Sequence, residues 1–599
     1  MTSWPTHAER STAFPYTRPM LYHPTRKNII RRPASQPLAG LDHLPPLLQR
    51  IYTVRQLNGA PELDRSLSRL PSPFLLSGMH GMTEQLEAVI REQKKLLIIA
   101  DYDADGATAC SVAMLGLALL GAERVESLVP SRFGFGYGLT PELVRVAAGS
   151  QPDVLLTVDN GIASVEGVRV ARELGMDVLI TDHHLPGPAL PEARAIVNPS
   201  LPGETFPGRH LAGVGVMFYV LLALRQTLRE SGWFIETGRE EPNLGQLLDL
   251  VALGTVADVV PLDHVNRILV HQGVLRIRKG LTRPGLQALL AVAGRTHSRL
   301  NATDLGFAIA PRLNAAGRME DMSMGIECLL TSNPDLARQL AESLNTLNGK
   351  RKTVEADMKR DAEKHLAALV CDSLMGYGFC LYDANWHQGV IGILASRIKD
   401  RLHRPVIVFA PGHEGEIKGS ARSIEGIHIR DVLSDIATAH PDILCKFGGH
   451  AMAAGLSLKT ERYEEFARLF AAEMAERLAG RDLEQAVLSD GSLTAEEIAL
   501  ELAEVLETSG PWGQGFPEPL FDGEFEVLKS WVIKERHLKF ILKSPDRDSP
   551  VAGIAFSVEH PEAWLNCQHI RLAYRLDINE YRDERSVQIR VEYMEAAAY

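Results

Sequence analysis

Three carboxylates stand at alternate positions in Asp101-Tyr-Asp-Ala-Asp-Gly106, directly after the apolar run Leu96-Leu-Ile-Ile-Ala100. Like charges this close repel one another unless something cationic holds them, so the spacing points to a metal site. Two later stretches repeat the design. Asp159 closes Asp153-Val-Leu-Leu-Thr-Val-Asp159 and is followed by Asn160-Gly161. The tandem His183-His184 follows Asp182 at the end of Met176-Asp-Val-Leu-Ile-Thr181. Asp258 ends a further apolar stretch that starts at Leu247. Neutral imidazole together with carboxylate oxygens suits Mn²⁺, with Mg²⁺ as the alternative. Asp182 is placed to orient an imidazole from outside the ligand set.

An apolar run of strand length, a glycine and then small residues read as a buried strand turning into a helix. If the chain stays extended through Asp105, then Asp101, Asp103 and Asp105 point the same way. Three such βα units, with further strands at 124–130 and 195–198, predict a doubly wound parallel sheet with its site along one rim. The glycine-rich loop 131–138 carries Arg132, and Gly306–Arg318 places Arg312 and Arg318 around Asn314 in apolar surroundings. Arginine suits bidentate phosphate contact. Pinning a loop through structural hydrogen bonds is the other use for Arg312 or Arg318.

With 599 residues the chain is too long for one core and predicts three or four domains. The six cysteines are scattered with no Cys-x-x-Cys pair, which argues against a disulfide framework or a thiolate zinc site and fits a reducing cytosol. No run approaches the roughly 20 apolar residues of a membrane span. The net charge of −12 does not by itself suggest a nucleic-acid binder, but binding depends on where basic groups cluster. Residues 1–43 read as a basic, disordered N-terminal tail, and the globular part begins at residue 44.

After a catalytic domain at 44–333, an uninterrupted polar pattern predicts a connecting helix over 334–370, with Lys350-Arg-Lys352 on its solvated face. A second, smaller α/β domain follows at 371–480. There Gly448-Gly449 before His450 lets backbone N–H groups approach an anion, and Ser420 with Arg422 completes a phosphate pocket. A helical linker is expected at 481–510. Six short strand candidates between 520 and 593 then predict a small OB-like barrel over 511–599. Its aromatics Trp531, Phe540, Phe556 and Tyr574 are assigned to the core rather than to base stacking.

Asp101-Tyr-Asp-Ala-Asp-Gly106, Val158-Asp-Asn-Gly161, Asp182-His-His184 and Val256-Ala-Asp-Val-Val260 resemble the four successive motifs of the DHH phosphoesterase superfamily. That resemblance implies two divalent metal ions bridged by Asp159. Asp103 and Asp159 would serve one ion, with Asp101 at or near it; Asp105, Asp159, His183 and Asp258 would serve the other. One departure is that Ile99 stands where some members carry a His. The second α/β domain is similar to DHHA1, which implies that Ser420, Arg422 and the Gly448-Gly449-His450 motif contact a terminal nucleotide or phosphate. Domain order, together with Ala310–Met319 and Pro511–Pro519, resembles the RecJ exonucleases. This implies 5′→3′ release of 5′-mononucleotides from single-stranded DNA in repair and recombination. His184 would contact the scissile phosphate or assist proton transfer, and Arg132, Arg312 and Arg318 would meet backbone phosphates. The expected partners are single-stranded DNA with a 5′ end, a single-strand-binding protein and a helicase, for a cytoplasmic monomer without membrane contact. The alternatives are a DHH phosphodiesterase of short oligonucleotides or dinucleotides, and a non-catalytic scaffold that has lost metal ligands.

Overall fold

The computed structural model describes residues 27–33, 38–55, 57–132, 134–369, 376–413, 415–481, 483–545, 549–581 and 584–597. The described residues fall into two compact units, those within 29–359 together with 488–597, and those within 27–28 together with 360–487. Most of the expected tail (1–26 and 34–37) lies outside the described residues. Within it, however, Lys27–Arg31 is a strand, and Arg31 is tied to Asp522 at 2.9 Å.

In the first unit, β1 (Leu96–Ala100) is buried throughout and leads into α1 (Ala104–Leu120). β2 (Val125–Leu128), α2 (Pro141–Ala148), β3 (Val154–Val158), α3 (Val165–Glu173), β4 (Asp177–Thr181) and β5 (Ala195–Val197) follow. The strands lie in the order β2-β1-β3-β4-β5, every pair parallel. A parallel sheet covered on both faces needs apolar residues at successive positions, which is why these strands read as unbroken runs. Strand order reverses between β1 and β3, and the crevice beyond that reversal is where such sheets bind ligands. Asp101 and Asp159 follow these two neighbouring strands.

The helices α4 (Gly213–Glu230) and α5 (Leu248–Ala257) pack against α1. Beyond them a π-helix, Leu305–Ile309, runs into α6 (Ala310–Met319). The stretch read as a loop bearing Arg312 and Arg318 is therefore helical. Pro311 does not prevent this, because it sits in the first turn, where no N–H partner is needed. The connecting helix α7 spans Pro334–Leu369.

The second unit holds a five-stranded sheet: β6 (Phe379–Tyr382), β7 (Val406–Pro411), β8 (Glu416–Arg422), β9 (Lys446–Gly449) and β10 (Ala453–Lys459), with α8 (Ile391–Leu402), α9 (Ile429–Ala439) and α10 (Tyr463–Leu478). The order is β9-β10-β8-β7-β6, with only β6 and β7 parallel. Ile417, Ala421 and Leu456 face a core built with Val432, Phe466 and Phe470. Ser420 and Arg422 alternate with Ala421 and take the other face.

The segment expected as a helical linker contains a strand, Gln485–Ser489, before a helix at Leu500–Ser509. The closed barrel that follows belongs to the first unit: β11 (Phe521–Ile533), β12 (His537–Lys543), β13 (Val551–Ala555), β14 (His569–Tyr581) and β15 (Glu584–Ala596), in the order β11-β12-β13-β15-β14. Six strand candidates become five because the first two are one strand carrying a bulge between Val527 and Lys529. Phe540 and Tyr574 are core, whereas Phe556 is exposed.

Candidate metal centre and phosphate-binding residues

The first-motif carboxylates do not share one extended strand. Asp101 is buried just past β1, with Oδ1 accepting from the Tyr102 N–H at 2.7 Å. Asp103 is the N-cap of α1, its Oδ1 accepting from the N–H groups of Asp105 (2.9 Å) and Gly106 (3.0 Å). Asp105 lies in the first turn of α1 and is buried, accepting from the N–H groups of Gly213 (2.6 Å) and Val214 (3.0 Å) at the start of α4. The chain turns helical at Ala104 because an Asp that caps its own helix end satisfies donors that would otherwise be orphaned.

Asp159 is buried and adopts φ 63°, a left-handed conformation that costs a non-glycine residue about 1–3 kcal/mol and persists only where the surroundings enforce it. Part of that enforcement is Gly213, where a Cβ would fall 2.5 Å from the Asp159 side chain. Asn160 ties the two central strands together, donating to the carbonyls of Ile99 (3.0 Å) and Val158 (2.9 Å). His183 Nε2 stands 3.1 Å from Asp159 Oδ1 and 3.4 Å from Asp258 Oδ2. Asp258 is the C-cap of α5. Asp182 accepts from the N–H groups of Ile162 (2.9 Å), His183 (2.7 Å) and His184 (3.1 Å), and its Oδ1 is 2.8 Å from His184 Nδ1. It holds the His184 ring through Nδ1, while its bond with His183 is to the backbone N–H.

Three sets of donor atoms each lie within 4.8 Å of one another: Asp101, Asp103 and Asp159; Asp105, His183 and Asp258; and Asp159, His183 and His184. Burial first, and the Asp103 charge next, push the Asp101 carboxyl up to about 8 and that of Asp105 to about 7. Burial and the neighbouring aspartates also hold Asp159 and Asp258 well above the ordinary carboxylate range. Asp159 Oδ1 is buried and accepts no hydrogen bond among the described residues. A mutually repelling set of oxygens, with an imidazole among them and a buried acceptor left over, fits divalent cations.

Arg132 lies with its guanidinium 4.2 Å from the centre of the Tyr102 ring, and its buried Nε has no hydrogen-bond partner among the described residues. Its charge, like that of Arg318, is felt by Tyr102 beside the cluster. Arg312 is committed elsewhere: it donates to Asn345 Oδ1 (3.0 Å) and to the carbonyls of Ala308 and Val292. None of these belongs to the acidic cluster, so the pinning role is the one its geometry supports. In the second unit, Arg422 donates to Ser420 Oγ (3.0 Å) and to Ser396 Oγ (3.1 Å). A Cβ on Gly392, in the first turn of α8, would fall about as close to both side chains. Gly448 pairs with Gly455, which pairs with Ser420, and the His450 N–H donates to Ala453 O at 2.8 Å, in the register row of Arg422. Ser420 and Arg422 thus lie beside the N-terminus of α8, with Gly448 and Gly449 on the edge strand β9, two strands across the sheet, and His450 just past it.

Four contributors were not evident from sequence. The Tyr137 hydroxyl sits 3.2 Å from His184 Nε2. Asn314 Oδ1 accepts from the Ala104 N–H at 2.9 Å. The N–H groups of Gly213 and Val214 complete the set. Tyr137 lies in the glycine-rich loop that carries Arg132, and Asn314 between two arginines whose pattern gives no hint of its bond to Ala104; the Gly213 and Val214 contacts are long-range with no local signal.

Residues 95–255 match the DHH family N-terminal domain, 372–476 the DHHA1 domain and 489–593 the RecJ OB domain. The single-stranded-DNA-specific exonuclease RecJ of Dickeya dadantii is 50% identical over 562 residues, spanning 92% of this chain and 96% of that protein. The chain belongs to the RecJ family. RecJ of Escherichia coli is likewise 50% identical, over 91% of this chain and 95% of its own length. Among solved structures, RecJ of Thermus thermophilus in complex with Mn²⁺ superposes with a TM-score of 0.77 at 28% identity, covering 96% of this chain and 80% of that one. The same RecJ is also known in complex with Mg²⁺, with a TM-score of 0.72.

Proposed function

We propose that this chain is a metal-dependent exonuclease that hydrolyses single-stranded DNA from its 5′ end and releases 5′-mononucleotides, in DNA repair and recombination. The observation that carries this reading is the pair of donor groups around Asp159 at the sheet's switch point, in a chain that shares half its residues with RecJ exonucleases over nearly its full length. Asp101, Asp103 and Asp159 would hold one divalent ion, and Asp105, Asp159, His183 and Asp258 a second, either Mn²⁺ or Mg²⁺. When bound, such a pair supplies an acidified water as nucleophile and neutralises charge building on the phosphoryl oxygens.

The chain's own residues do the rest. Asp182 fixes His184 through Nδ1 and leaves Nε2 for the scissile phosphate, in the place now taken by the Tyr137 hydroxyl. Arg132, over the Tyr102 ring with its Nε unpartnered among the described residues, and Arg318 stabilise the phosphate backbone. Ser420, Arg422, Gly448, Gly449 and His450 take a terminal phosphate, and a pocket that accepts an end gives the reaction its direction. The same reading expects a cytoplasmic monomer that meets single strands exposed by a helicase and covered by a single-strand-binding protein.

A 5′-labelled single strand incubated with Mn²⁺ should yield labelled mononucleotide, also when its 3′ end is blocked. Asp159→Asn, which tolerates the left-handed backbone, should still fold and show no hydrolysis. A requirement for a free 3′ end, or preference for a dinucleotide over the long strand, would overturn the reading.

A further inference from the structure

Phe307 is 84% exposed, an unusual state for a large aromatic side chain. It sits in the π-helix Leu305–Ile309, whose Leu305, Ala308 and Ile309 are buried. A π turn is a rare element, frequent at functional sites. Next to Phe307, Gly306 closes on α5: a Cβ there would lie 3.2 Å from Val256 Cγ1, two residues before Asp258. Val259, directly after Asp258, is also unusually exposed at 64% and held at φ 61°. Val259 thus stands in solvent at the end of the helix that delivers a candidate metal ligand, and Phe307 stands in solvent on the π-helix packed against that helix. The element carrying Phe307 is tied to its surroundings. Arg312 donates back to Ala308 O, and α6, which continues the π-helix, is anchored on the first-motif loop by the hydrogen bond of Asn314 to Ala104.

We propose that Phe307 is a stacking platform for a base of the single strand near the scissile phosphate, with Val259 extending the apolar surface. The proposal rests on the nuclease reading and adds a specificity-determining residue to it. A flat ring on an anchored support accepts any base, since every base has a π-face, and it engages only bases that are free of a duplex. The carboxylates of the candidate metal centre would hold the ions, but they offer the strand no attraction of their own. A base-stacking contact would supply grip on this side of the centre.

The test is an abasic scan. Oligonucleotides carrying one abasic residue at successive positions from the 5′ end are compared on wild type and Phe307→Ala. Wild type should show one position where losing the base raises KM about 5-fold or more, with kcat changed less than about two-fold. Phe307→Ala should show that raised KM on the intact strand and lose the position-specific sensitivity; Phe307→Trp should restore both. Because the side chain is in solvent, the melting temperature should not move. Fluorescence anisotropy with Ca²⁺ in place of Mn²⁺ separates the two readings. A wild type that binds with the position-specific sensitivity but does not cut sinks the nuclease reading alone. A wild type that cuts with no sensitive position, or a Phe307→Ala that keeps one, sinks the platform.

Discussion

Asp101 and Asp105 carry raised carboxyl pKa values, about 8 and about 7, where the unfolded chain titrates near 4. Between about pH 4 and 8 the metal-free folded protein therefore binds more protons than the unfolded one, and its stability falls as pH rises. His184 acts in the same direction. Burial pulls it down, but the Asp182 hydrogen bond and charge hold it up at about 9, so its stabilisation is complete below about 6.5 and is lost as pH rises through 9. In EDTA the melting temperature should fall from about pH 6 to 9, and saturating Mg²⁺ or Mn²⁺ should flatten the decline, since cations replace the protons. Calorimetry giving identical slopes with and without metal would refute the metal assignment. Asp182 itself offers a second prediction. Asp182→Ala leaves the N–H groups of Ile162, His183 and His184 unanswered and frees the His184 ring. We expect a loss of about 1–3 kcal/mol in denaturant unfolding and about 10–100-fold in hydrolysis.

At the scale of elements, α6 is the helix that holds the first-motif loop in shape. A Cβ on Gly317 would fall 1.9 Å from the Tyr102 carbonyl oxygen, so the helix can approach only through a glycine. Helix propensity favours alanine at that position by about 1 kcal/mol, but the clash is with backbone and cannot be relieved by a rotamer. Gly317→Ala should therefore lower stability and weaken Mn²⁺ binding, as measured by titration calorimetry; a more stable variant would contradict the geometry. The parallel strands were legible because burial on both faces leaves an unbroken apolar run, as in Leu96–Ala100. The helical form of Ala310–Met319 was not. Pro311 and Gly317 read locally as loop residues, and only the partner Tyr102, more than 200 residues earlier in the chain, explains why glycine is needed. The three aspartates failed to stay extended for a related reason: Asp103 doubles as a cap, which an alternation argument does not see.

At the scale of the molecule, the barrel is not an appendage: Asp522 of β11 is held by Arg31 at 2.9 Å, and the segment leading into the barrel packs on residues from the start of the chain. Trp512 and Phe516 stack 5.1 Å apart, and Tyr52 lies 6.3 Å from each ring. Arg55 donates to Asp490 at 2.9 Å with both side chains buried. Arg55→Ala should destabilise the unit by an amount at the low end of about 3–5 kcal/mol, because Arg32 Nε remains 3.6 Å from the abandoned carboxylate. Urea unfolding followed by Trp512 fluorescence reads this out; an unchanged midpoint would count against it. Sequence showed that a barrel exists but not what it rests on. Domain order made 511–599 look like a terminal module behind a linker, whereas the pairings that place it join residues such as Arg55 and Asp490, with no local pattern to announce them.

Arg55 and Asp490 are also 435 positions apart in the chain, and the protein is made from one end. At about 5–20 residues per second, the ribosome releases the arginine about 20–90 s before its carboxylate partner exists. During that interval the ring of Tyr52 lacks the Trp512 and Phe516 rings it packs on, while the residues forming the second unit emerge in between. The nascent chain must therefore carry an unfinished interface for most of its synthesis, and it is there that a chaperone would find it.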